Sequence, residues 1–189
     1  MTTAAEPRVQ TGDRLAFGWG FGEAVLFFVI PDVFLTLVAI RLGFRRSIRL
    51  AGLATMGAVL GGLVVYAWAA LHPASGAAVM QLLPGIDAAM IDGVAADVAA
   101  NGNAALLAGP WQGRPYKLFA LASGDLGLSP IGLALITIPG RFARFAAAVA
   151  VASYLRRFFA RWLTQETILV LWAGFWLLVY AAYWFGLSR

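Results

Sequence analysis

Apolar positions in this chain come in long runs, with the polar positions gathered between them. Residues 51–71 form the cleanest run: no charge interrupts it, and its length lets one helix cross a bilayer. Residues 167–187 form another, rich in Trp172, Trp176, Tyr180, Tyr183 and Trp184, the residue types that settle at membrane interfaces. A third apolar helix is expected over 145–155, entered through Pro139-Gly140-Arg141-Phe-Ala-Arg144-Phe. Two more segments are apolar but broken. Residues 15–40 contain Gly18, Gly20, Gly22, Glu23, Pro31 and Asp32, and residues 115–138 contain Lys117, Gly124, Asp125, Gly127, Pro130 and Gly132. The pattern predicts an all-α polytopic membrane protein, one domain over 1–189. It has about four to five membrane segments, two of them re-entrant, proline-broken helical hairpins. Residues 1–14 read as a polar N-terminal tail with no apolar signal core.

Charge placement gives a topology. Arg41, Arg45, Arg46 and Arg49 form the densest positive cluster, and Arg156, Arg157 and Arg161 form another, so both are expected on the cytoplasmic side. No Arg or Lys occurs from 50 to 113. Asp87, Asp92 and Asp97 recur there among apolar residues, so 73–113 reads as a non-cytoplasmic amphipathic segment at the interface. Residues 15–40 could then span, or dip in and return; the Pro31 break and the two acids favour the dip. The pair Gly22-Glu23 before Pro31 has an echo in Gly124-Asp125 before Pro130, the kind of correspondence left by inverted repeats.

Composition narrows the class. Hydrophobic residues make up 61% and charged ones 12%, where soluble domains run near about a quarter charged. With no cysteine and His72 alone, neither a thiolate nor a histidine-cluster metal site is expected. The net charge of +5 is carried almost wholly by arginine, Lys117 being the single lysine. In a membrane chain this points to topology and anionic lipid contact, not nucleic acid. The Ala, Gly and Arg bias suits a bacterial genome of high GC content.

The candidate chemistry lies in the broken segments. An ionisable group at mid-membrane costs about 2.5–3.5 kcal/mol on insertion scales, so Glu23 and Asp32 are candidate proton or substrate sites. Asp32, next to Pro31, is also placed to cap a helix starting at Val33. Arg141 and Arg144 share a face of a helix starting at Pro139 and could clamp a phosphate or pair with the two acids. Arg144 lies twelve residues before Arg156, about 18 Å deeper along a helix. Lys117 and Asp125 could pair with each other or join the path. Gly57 and Gly61 offer a small face for helix packing. No nucleophile elbow, phosphate loop, zinc motif or nucleotide fingerprint occurs, and neither an enzyme nor a cofactor is expected.

These residues resemble the DedA family, also called the VTT or SNARE-associated superfamily, in its smaller members. Glu23…Pro31-Asp32 looks like the family's first re-entrant loop. The helix Gly57-Ala-Val-Leu-Gly61-Gly62-Leu-Val-Val-Tyr66 looks like the helix that follows it, with Gly62 where the family usually has Asp. Ile138-Pro139-Gly140-Arg141…Arg144-Phe145 is similar to the second re-entrant region, its two arginines closer together than the family's. The resemblance covers most of residues 15–160. It implies a lipid or lipid-phosphate flippase or scramblase of the bacterial cytoplasmic (inner) membrane, dependent on the proton-motive force. Its partners would be phosphate-bearing or anionic lipids and, as a homo-oligomer, further copies of itself. A proton-coupled transporter of a small ion or solute, and a non-transporting scaffold or assembly protein, are the alternatives.

Overall fold

A computed structural model describes residues 6–26 and 28–187. Among them the chain is helical, with no strand: α1 (Glu6–Val25), α2 (Asp32–Leu42), α3 (Phe44–Leu71), α4 (Pro73–Met80), α5 (Ala88–Asn101), α6 (Ala105–Ala108), α7 (Tyr116–Asp125), α8 (Pro130–Phe159) and α9 (Gln165–Leu187). Three of these, α3, α8 and α9 up to Phe185, are long and apolar enough to cross a membrane. Large apolar side chains such as Leu135, Val151, Leu177 and Phe185 are exposed on them, as on a lipid-facing surface. This is an α-helical membrane protein.

Helix α3 is the central post. α1 lies along it in parallel: Asp13 pairs with Arg46 and Arg49 at the start of α3, and Phe21 and Ala24 lie beside Gly61, midway up it. The approach is too close for side chains. A Cβ on Gly20 would overlap the Ala54 carbonyl, and one on Gly57 would overlap the Phe17 carbonyl. Between membrane helices such contact replaces the hydrophobic drive that lipid cannot supply. Between α1 and α2 the chain reverses, and the Trp19 indole donates to the Val29 carbonyl at 2.8 Å. α2 then runs back to Gly43, which opens α3 with a φ of 85° and lies beside the Arg156 guanidinium. Both arginine clusters therefore occupy one end of the molecule. Residues 15–40 are two antiparallel arms, not a straight span.

The second half has the same order in the opposite sense. From Asn103, which donates to the Ser129 carbonyl, the chain turns inward through α6, whose Leu106 and Leu107 lie beside Gly140. It reverses at Gly113 (φ 79°), Arg114 and Pro115. α7 climbs back to the end remote from the arginine clusters, and Gly124 packs on the Tyr66 carbonyl. The Tyr66 hydroxyl donates to the Leu128 carbonyl in the next turn at 2.6 Å. α8 then descends the full length of the molecule.

Three expectations are corrected. Pro139 does not start a helix: α8 begins at Pro130, capped by the Ser129 hydroxyl, and runs through Pro139 unbroken to Phe159. The proline removes one amide donor, a loss membrane helices tolerate where neighbours cover it. The second segment does break before Pro130, at 126–129, but that turn lies at the end remote from the arginine clusters; the inward reversal is at 113–115. Finally, 73–113 is not one continuous amphipathic segment. α5 is amphipathic, buries Val94 and Val98 and is capped by Asp87, but 105–115 goes inward.

Candidate functional site

The tips of the two reversals meet the middle of α8. Glu23, two residues before the end of α1, forms an ion pair with Arg141, and the two side chains are 6% and 1% exposed. Asp32, the first residue of α2, forms an ion pair with Arg144 at 2.7 Å. The spacing of Arg141 and Arg144 on one helical face lets α8 present one arginine to each arm. The Asp32 carboxylate thus reaches from the start of α2 across to α8.

Aromatic rings hold Arg141 in place. Its guanidinium carbon lies 5.1 Å from the centre of the Tyr116 ring and 4.8 Å from that of Phe145. The Tyr116 hydroxyl is 3.0 Å from Thr137 Oγ1, which donates to the Leu133 carbonyl at 2.7 Å. Arg141 Nε is buried and without a hydrogen-bond partner. Lys117 follows Tyr116, is buried, and interacts electrostatically with both Glu23 and Arg141. The five groups form one cluster of three cations and two carboxylates.

Cavities leave this cluster in opposite directions. One, of about 680 Å³, lies between α2, α8 and α9 and runs from Asp32 and Arg144 to Arg156 at the arginine-rich end. Ala148, Val151, Leu155, Leu171 and Phe175 make its walls almost wholly apolar. The other, of about 270 Å³, is lined by Glu23, Lys117 and Arg141, by Arg114 of the second reversal and by Leu83–Ile86. Ile30 and Arg144 line both.

Helix α9 closes the sides of both cavities through polar contacts. The indole N–H groups of Trp172 and Trp176 donate to Thr36 Oγ1 at 2.9 and 3.3 Å, and Thr36 donates to the Asp32 carbonyl at 2.6 Å. The Ile30 amide donates to the Tyr180 hydroxyl at 3.1 Å, and the Tyr183 hydroxyl to the Pro84 carbonyl at 2.7 Å. The belt aromatics of the sequence are therefore also fasteners for the first reversal.

The structure brings together Glu23, Asp32, Lys117, Arg141 and Arg144, with Pro31 and Gly140 nearby on the same elements. It does not bring Asp125. That residue is exposed at the far end of α7, eight residues and about 12 Å from Lys117, so the two do not pair. The echo of Gly22-Glu23 in Gly124-Asp125 is not a spatial one: Glu23 is at an inner tip and Asp125 at an outer mouth. Lys117 is the residue that occupies the second inner tip. Sequence reasoning missed Tyr116, Thr36 and Tyr180; a hydroxyl within an apolar run was their only signal. Among the described residues no group of three His, Cys, Asp or Glu side chains is placed to hold a metal ion. Compared with protein families, curated proteins and solved structures, the chain matches no family model, no curated protein and no solved structure.

Proposed function

We propose that this protein moves phosphate-bearing lipids across a bacterial cytoplasmic membrane, with both reversals re-entrant and the arginine clusters facing the cytoplasm. One observation carries the reading: a buried cluster of arginines, a lysine and carboxylates stands where two cavities converge. Arginine forks onto phosphate oxygens as readily as onto carboxylates. An arriving phosphate would compete with Glu23 and Asp32 for the same guanidinium groups, and a released carboxylate, out of water, would favour its protonated form. That exchange supplies a route to proton coupling. The larger cavity favours lipid over a soluble ion, because its apolar walls suit a hydrocarbon chain and offer a hydrated ion almost nothing. The likeness to the DedA family and the hairpin-then-helix order of each half point the same way.

The test is transbilayer movement of fluorescent phospholipids in proteoliposomes. Wild type should move them, and Glu23→Ala and Arg141→Ala should abolish movement while still inserting. Wild-type rates in both variants would reject the reading. Flux of a soluble ion with no lipid movement would favour the small-solute alternative.

A further inference from the structure

The buried cluster is not electrically balanced. Arg141, Arg144 and, when protonated, Lys117 carry three positive charges, and Glu23 and Asp32, when ionised, carry two negative ones. Among the described residues the other charged side chains lining the cavities are Arg156, at the arginine-rich end, and Arg114, which is paired to Asp97 and so adds no net charge. A net charge held out of water attracts a counter-charge far more strongly than one at a surface. The buried Nε of Arg141, without a partner, is a spare donor at the same place.

We infer that this single excess positive charge makes the site select a phosphate group of one net negative charge, and that Lys117 is the residue that sets the selection. This rests on the reading of the site as a headgroup path and adds the headgroup's charge class. A singly charged phosphodiester, as in phosphatidylglycerol, brings the cluster to neutrality on arrival, while both carboxylates are still ionised and before either is displaced. A zwitterionic headgroup leaves the excess in place. The arginines are each committed to one carboxylate arm and hold the phosphate. Lys117 interacts with Glu23 and Arg141 from α7, the arm of the second reversal, and tips the sum from zero to plus one. Tyr116 and Tyr180, the hydroxyls that face the cluster from α7 and α9, add no charge while protonated.

The experiment uses the full chain in detergent and in proteoliposomes. Binding of dihexanoyl phosphatidylglycerol and dihexanoyl phosphatidylcholine is read as the shift in thermal unfolding, and movement of the fluorescent long-chain lipids as a rate. Wild type should prefer the glycerol lipid by about tenfold or more, the scale of one unit charge in a partly buried site. Lys117→Met, of similar length without the charge, should bring that preference to within about twofold, and Lys117→Arg should keep it. An equal loss for both lipids in Lys117→Met, or an unchanged preference, overturns the inference. Charge-selective binding without lipid movement would reject the transport reading and leave the charge selection standing. Inorganic phosphate at matched concentration separates the sources. A shift with the lipid alone assigns the site to headgroups, and an equal shift with the free ion assigns it to soluble phosphate, with the same charge rule.

Discussion

The Tyr116 hydroxyl fills the space that a side chain on Gly62 would need: a Cβ built on Gly62 would overlap the phenolic oxygen. Tyr116 in turn stacks its ring on Arg141 and meets Thr137, so a missing side chain on α3 is what allows α7 to hold the central arginine. The phenolic oxygen thus brings a polar atom from α7 to the flank of α3. Gly62→Ala should therefore destabilise the protein by about 1–3 kcal/mol, the usual cost of overpacking. Replacing Tyr116 by Leu in the same background should recover most of the loss. Thermal unfolding in detergent of the two single variants and the double variant checks this.

The Glu23–Arg141 pair joins residues 118 apart in sequence and is nearly sealed from solvent. Such pairs are costly to break singly, because the survivor keeps its charge without its partner. Glu23→Gln alone should cost about 3–5 kcal/mol. Adding Arg141→Met should cost less than the sum of the two single changes. A double-mutant cycle on unfolding stability measures the coupling, and strict additivity would mean that the pair does not act as a unit.

Helix α9 leaves most of its apolar surface exposed and is tied to the first reversal by hydroxyl and indole contacts. Thr36→Val removes the shared acceptor of Trp172 and Trp176. Two half-buried donors left unsatisfied cost up to about 1–3 kcal/mol each, so α9 should loosen locally. Hydrogen exchange should rise across 165–187 and stay unchanged across 44–71.

The doubling back of residues 15–40 has a topological consequence. Arg14 and Arg45 are both exposed at the arginine-rich end, and the chain has no native cysteine to confuse labelling. Arg14→Cys and Arg45→Cys should react with an impermeant thiol reagent from the same side of the membrane. Labelling from opposite sides would mean that 15–40 crosses as a straight span.

How much of this was legible follows from what a membrane penalises. Charges in apolar runs are expensive, so Glu23, Asp32, Arg141 and Arg144 stood out, and opposite charges at depth must find each other. The long helices were legible because nothing but a helix satisfies the backbone over twenty apolar residues. The break before Pro130 is real but is an outer turn, the one expected at Pro139 is absent, and the inward reversal lies at 113–115 instead. A proline at the first helical position is welcome, and Pro139 stays inside α8. The inward path of 105–115 was hidden because Pro110, Gly113 and Pro115 spell a surface loop, and only packing against Gly140 and Phe119 shows otherwise. Asp125 was misread as a deep acid for the same reason: its depth depended on where the chain turned.

The central claim is that phosphate headgroups pass the point where the two cavities meet, and Arg144 lines both. The most direct measurement is the rate of phosphatidylglycerol movement in proteoliposomes for Arg144→Met beside Arg45→Met, an exposed arginine that lines neither cavity. Arg144→Met should lose at least about tenfold in rate, as expected for removal of a charge-assisted contact worth about 1.5–3 kcal/mol, while Arg45→Met keeps the wild-type rate. Equal rates in both variants and in wild type would contradict the account.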